Sequence, residues 1–172
     1  MNAMPIPTDL LQVLNQTVFG PCGLDLAQIT EEPESQEYAA CRCTLQGQRM
    51  VSRSAKITPK KAGQFVTFWQ RSAGGPIEPL HTEGPFDFFM VQVQQAGRLG
   101  QFIFPKAVLV AKGIISTPTK EGKRAFRVYS PWDQPTSKQA QRTQQWQRPY
   151  FVELTQPTDL KKLKEFYDSV LG

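Results

Sequence analysis

Histidine occurs once in the chain, at His81, inside a proline-rich loop with no Cys or Ser spaced as a nucleophile motif requires. Histidine-based triads and multi-histidine metal sites are thereby excluded. Cysteine is nearly as scarce: Cys22, Cys41 and Cys43 are an odd number, and a lone C-x-C beside a distant cysteine is poor zinc spacing. They read as free structural thiols. No Walker loop and no G-x-G-x-x-G occurs, which removes two common phosphate-cradling turns. No apolar run reaches the roughly 18 residues of a membrane span, and the start, MNAMPIPTDLL, lacks the basic and long apolar regions of a secretion signal. These absences predict a cytoplasmic protein that does not enter membranes, and they assign no catalytic residue, metal ligand or cofactor.

Two further absences concern charge. Residues 1–41 contain no Lys or Arg but six acids, and residues 42–71 contain seven bases and no Asp or Glu. Residues 72–97 then carry three acids without a base, and residues 98–148 carry ten bases against Glu121 and Asp133. The net charge is +5. Two basic blocks flanked by acidic segments predict a one-sided positive surface, the electrostatic footprint of a nucleic-acid binder. With 172 residues, 40% of them apolar, the chain has the size and composition of one globular domain.

Residues Leu10, Leu11, Leu14 and Val18 recur at helical spacing behind Thr8, a candidate cap, and Gly20-Pro21 closes that helix. From Tyr38 to Trp69 the pattern reads as a three-stranded meander, YAACRCTLQ, RMVSRSAKI and QFVTFWQ, with turns at Gly47 and over Pro59 to Gly63. FDFFMVQV and QFIF form a hairpin through Gly97 and Gly100. Pro105 opens a short helix, KAVLVAKG, that Gly113 closes. GIISTPTKEGKRAFRVYS reads as a basic hairpin turning at Glu121-Gly122. Thr136 or Ser137 caps a glutamine-rich helix ended by Pro149, and a last helix from near Thr158 buries Leu160, Leu163, Phe166, Tyr167 and Val170.

On RMVSRSAKI the strand period puts Lys56 on the face opposite Arg53. Lys60 and Lys61 occupy the turn beyond, and Trp69 and Arg71 end the neighbouring strand. Lys106 opens the short helix. Lys123, Arg124 and Arg127 cluster with Tyr129 and Trp132, and Arg142 lies one turn before Trp146 on a helical stripe. Lysine and arginine are the usual phosphate ligands, and unpaired bases stack on aromatic rings, so this interleaving fits single-stranded nucleic acid in particular. The remaining acids near apolar strands are Glu34, Glu37 and Asp87, and any two of them converging near Lys56 could hold Mg²⁺.

The ordered series E-x-E-S-x-x-Y (Glu32 to Tyr38), R-x-A-K-I-T-P (Arg53 to Pro59), G-Q-F-V-T-x-W (Gly63 to Trp69), D-F-F (Asp87 to Phe89), G-Q-F-I-F-P-K (Gly100 to Lys106), K-R-x-F-R-V-Y (Lys123 to Tyr129) and T-Q-x-W-Q (Thr143 to Gln147) resembles the bacterial MepB family from about Glu31 to Phe151. The resemblance implies one MepB-like domain over residues 1–172, and a genomic setting beside a multidrug efflux pump and its regulator. It implies an α/β fold with a restriction-endonuclease-like mixed central sheet and flanking helices. In that core Lys56 would stand at the lysine of the PD-(D/E)xK motif, with Ser54 at its acidic position and Ala40 or Cys41 at its aspartate. Both carboxylates are missing, which points to a nuclease-like scaffold that keeps a basic groove without cleavage. The expected function is therefore binding of DNA or RNA, single strands favoured, through Lys56, Lys60, Lys61, Trp69, Arg71, Lys106, Lys123, Arg124, Arg127, Trp132, Arg142 and Trp146. The alternatives are a divergent metal-dependent nuclease and a basic module for an acidic protein or small anion.

Overall fold

The computed structural model describes residues 7–172, with side chains from residue 9 onward. Helix α1 (Pro7–Leu14) runs on through one wider turn (Asn15–Phe19). Strands β1 (Leu26–Glu31), β2 (Cys41–Leu45), β3 (Gln48–Ser54), β4 (Lys56–Ile57), β5 (Gln64–Thr67), β6 (Trp69–Arg71), β7 (Ile77–Pro79), β8 (Phe88–Gln95) and β9 (Arg98–Pro105) follow. Helix α2 (Lys106–Ala111), β10 (Ala125–Val128), α3 (Lys138–Gln147), β11 (Phe151–Glu153) and α4 (Leu160–Leu171) complete the chain. Capping of the first helix by Thr8 concerns a side chain outside the described residues.

The frame is a mixed six-stranded sheet in the order β1-β2-β3-β8-β9-β11. Its neighbours are antiparallel except β3 and β8, which run parallel with Val51 beside Phe89. Strands β8 and β9 are buried on both faces, so their sequences are apolar at successive positions rather than alternating. The strand period sends Met50, Phe88, Met90 and Ile103 to one core with Leu11, Leu14, Leu163 and Tyr167 of the terminal helices. It sends Val51, Phe89, Val91, Phe102 and Phe104 to a second core, where Phe68 stacks on Phe89 at 3.8 Å. The three-stranded sheet β10-β5-β4 covers that second core.

A polar thread crosses the first core. Gln92 Nε2 donates to Ser52 Oγ at 3.0 Å, Gln101 Nε2 donates to Gln92 Oε1 at 3.0 Å, and the Tyr167 hydroxyl donates to Gln101 Oε1 at 2.6 Å. All four side chains are buried, and each finds a partner, as burial of polar groups demands.

Three expectations from the sequence are corrected. The meander loses its third strand: after Ser54 the chain leaves the large sheet, Ala55 N–H donates to Gln92 O at 2.9 Å, and β4 pairs with β5 in the smaller sheet. The place beside β3 is taken by β8, a distant partner that local periodicity does not reveal. The basic hairpin at Gly113–Ser130 does not form either. Its second half, β10, pairs antiparallel with β5, and its first half makes only isolated bridges, Ser116 with His81 and Thr117 with Lys120. A Cβ on Gly122 would lie 2.4 Å from Ile114 O, so this loop packs against its own beginning too closely for any other residue. Leu160 is exposed rather than buried, because Asp159 starts the helix there, accepting from the Lys161 and Lys162 amides.

Candidate functional site

The acidic segment folds back onto the first basic block. Glu32 pairs with Arg42 at 3.1 Å, Glu34 with Arg71 at 3.0 Å, Glu37 with Lys56 at 3.2 Å, and Asp87 with Arg49 at 3.0 Å. Most of that block is thus neutralised in space by the acids that flank it in sequence. Asp87 also accepts from the Arg49 backbone amide, and these bonds hold its carboxyl below the usual range. The three carboxylates, any two of which would have to converge near Lys56 to hold a metal, are each committed to a separate cation. Among the described residues no three His, Cys, Asp or Glu side chains gather as metal ligands would. Cys41 and Cys43 are pushed up to about 11 and about 12 by burial, so neither is a thiolate near neutral pH.

The second basic block makes a different arrangement. Strand β10 and helix α3 enclose a cleft of about 400 Å³ lined by Lys112, Lys123 and Arg127, by Phe126, Tyr129 and Trp146, and by polar Ser137, Gln139 and Thr143. No acidic residue lines it. Strand β10 positions Arg127 opposite Phe65. The Arg127 guanidinium donates to Ala62 O at 3.3 Å and to Thr58 Oγ1, which fastens the Lys60-Lys61 turn beside the cleft. That turn needs glycine at Gly63, where φ is +75° and a Cβ would stand 2.6 Å from the Tyr129 ring.

Helix α3 is capped by Ser137, whose Oγ accepts from the Ala140 amide. Two of its glutamines hold it in place. Gln147, fully buried, accepts from the Tyr129 amide at 2.7 Å and donates to Arg127 O at 3.0 Å. Gln144 donates to Ser130 O at 2.9 Å and Asp133 O at 2.8 Å. Because β10 is an edge strand, Gln147 occupies the hydrogen-bonding positions a further strand would fill. The motif T-Q-x-W-Q therefore divides by face: Thr143 and Trp146 line the cleft, while Gln144 and Gln147 grip backbone. In the sequence these glutamines stand only as part of a glutamine-rich helix. Their spacing of three was the available signal.

The expected nucleic-acid residues are distributed unevenly. Lys123, Arg127 and Trp146 meet in the cleft, where Lys112 Nζ stands 5.4 Å from the Trp146 ring centre and Phe104 packs 5.6 Å behind it. Lys112 was missed, although it closes the α2 turn. Lys60 and Lys61 are exposed in the adjoining turn. Arg142 lies on the exposed side of α3 and Arg124 pairs with Glu121 at 3.3 Å, both off the cleft lining. Lys56 is on Glu37, and Lys106 donates to Gly84 O at 2.7 Å over the Phe86 ring, with burial pulling its ammonium down. Trp132 packs edge-on against Phe151, donates to Gln95 Oε1 and carries Arg98 over its ring, away from the cleft lining.

Trp69 and Arg71 line a second cavity of about 270 Å³ with Glu32, Glu34, Arg42 and Arg53. Arg53 is 1% exposed, and burial pulls its guanidinium below the ordinary arginine value.

A model of the MepB-like family matches residues 32–153. The chain belongs to the MepB-like family. The solved crystal structure of MepB is similar to it, with a TM-score of 0.75 and 35% identity over 89% of this chain and 99% of that one. Among curated proteins none matches. The matched span holds both cavities and every MepB motif read from the sequence, while α1 and α4 lie outside it.

Proposed function

We propose that this MepB-like protein binds single-stranded nucleic acid, seating one unpaired nucleotide in the cleft between β10 and α3. The observation that supports this reading most is the lining itself: three cations, three aromatic rings and no carboxylate around about 400 Å³. That volume falls within the ~300–1,000 Å³ of small-molecule pockets. A base would lie against Trp146 or Tyr129, and its phosphate would meet Lys123 and Arg127. The Lys60-Lys61 turn, fastened by Arg127, would continue the phosphate track. Stacking on aromatic faces needs the base out of a duplex, which favours single strands.

The scaffold reading goes with it. A mixed sheet in which an antiparallel meander meets a parallel strand fits a restriction-endonuclease-like core, but Lys56 lies in β4, outside that sheet. On this reading the positions around Ser54 and Cys41 supply no carboxylate pair, and the protein binds without cleaving. Fluorescence anisotropy with labelled single- and double-stranded DNA and RNA, with and without Mn²⁺, tests both parts. Single strands are expected to bind more tightly than duplex and to remain intact. Equal affinity for duplex, or cleavage lost in Lys56→Ala, would overturn the reading.

A further inference from the structure

The second cavity contains an imbalance of charge that the protein itself leaves uncorrected. Arg53 reaches it from β3 and is buried to 1% exposure. Its Nη1 donates to Ser52 O at 3.0 Å and stands 3.6 Å from Glu32 Oε1, while its Nε has no partner. Arg42 donates through Nε to the same Glu32 oxygen at 3.1 Å. One carboxylate therefore faces two guanidiniums. Glu34 does not make up the difference, because it pairs with Arg71 at 3.0 Å. An arginine does not shed its proton in a protein, and a buried charge without its counter-charge is costly. A water molecule in the cavity could satisfy a hydrogen bond but supplies no charge.

We propose that this cavity is a binding site for a phosphoryl oxyanion, held between Arg53 and Arg42 with Trp69 and Arg71 at its side. Guanidinium forks match the geometry of such an anion, and about 270 Å³ suits a group smaller than the contents of a typical ligand pocket. The site is independent of the cleft at β10 and α3, with which it shares no lining residue, so it does not rest on the nucleic-acid reading.

The sign of the imbalance makes the test specific. Protein freed of phosphate and sulfate is titrated with inorganic phosphate at constant ionic strength, following tryptophan fluorescence and the melting temperature, with chloride as control. Phosphate gives a saturable fluorescence change, absent in Trp69→Phe, and raises the melting temperature. Arg42→Gln leaves Glu32 to Arg53 alone, removes the surplus, and weakens phosphate binding roughly tenfold or more, the loss that accompanies a charge-assisted hydrogen bond. Glu32→Gln enlarges the surplus and tightens binding. If that variant does not fold, Arg42→Gln alone decides. Adenosine 5′-monophosphate beside inorganic phosphate, with adenosine as control, identifies the source: tighter binding of the nucleotide marks a phosphoryl group carried on a nucleoside, and equal binding marks the free ion. A parent protein that responds to phosphate as it does to chloride, or an Arg42→Gln variant that binds phosphate as tightly as the parent, overturns the proposal.

Discussion

Replacing Gln147 with leucine isolates the device that builds the cleft. The side chains are similar in shape, so the main change is loss of two hydrogen bonds, from the Tyr129 amide at 2.7 Å and to Arg127 O at 3.0 Å. An orphaned buried N–H costs about 1–3 kcal/mol, and an under-satisfied carbonyl adds about 1 kcal/mol. The more apolar leucine offsets about 1 kcal/mol of that. The net loss expected for Gln147→Leu is about 1–3 kcal/mol, read as a lower urea midpoint with an unchanged denaturant slope. Gln147→Glu keeps the acceptor for Tyr129 but sets a buried carboxylate against the Arg127 carbonyl, and is expected to be less stable than the leucine variant at neutral pH. A leucine variant as stable as the parent would refute the view that this glutamine stands in for a missing strand.

Other consequences follow from the same contacts. Tyr167→Phe leaves Gln101 Oε1 without its 2.6 Å donor and is expected to cost about 1–3 kcal/mol in urea unfolding. Asp87→Asn removes a carboxyl that Arg49 holds below the usual range. A depressed folded-state value means stability present above the unfolded-state value near 4 and lost as pH falls through and below it, so the parent loses more stability on acidification than Asp87→Asn, measured by melting from pH 6 to pH 3. Trp146→Ala is expected to weaken single-strand binding by roughly 1–3 kcal/mol with the salt dependence unchanged, since no charge is removed. Because Phe104 packs behind the ring, its melting temperature must be measured alongside. Unchanged binding removes Trp146 from the site.

Local signals in the sequence carried the elements whose partners are near in the chain. Helix α2 follows Pro105 and Ser137 caps α3 where cap chemistry placed them, and the β8–β9 hairpin turns at Ala96-Gly97 as expected, although Gly100 lies within β9 beside Val93 rather than in the turn. What local signals missed is set by distant pairing. Strand β3 chooses β8 over β5, and β10 chooses β5 over the segment just before it, choices made by core packing rather than by any nearby residue. The short strands β6, β7 and β11, each of three residues, show too little periodicity to be read. Charge segregation was visible, but its meaning changed: the first block is largely cancelled by Glu32, Glu34, Glu37 and Asp87, whereas Lys123 and Arg127 of the second keep a cleft free of acids. Arg53 showed in the sequence as one more basic residue. Its burial, and the shared Glu32, exist only once β2 and β3 are paired.

Single-strand binding by this protein requires that phosphate be met in the β10–α3 cleft. The decisive measurement is the salt dependence of single-strand binding for the parent and for Lys123→Ala, whose exposed side chain can be removed without disturbing the core. Affinity for the parent is expected to fall steeply with salt, by a log–log slope of about −0.7 for each phosphate neutralised, and the variant's slope is expected to be shallower by about one such contact. A parent slope near zero, or a Lys123→Ala variant with affinity and slope equal to the parent's, would contradict it.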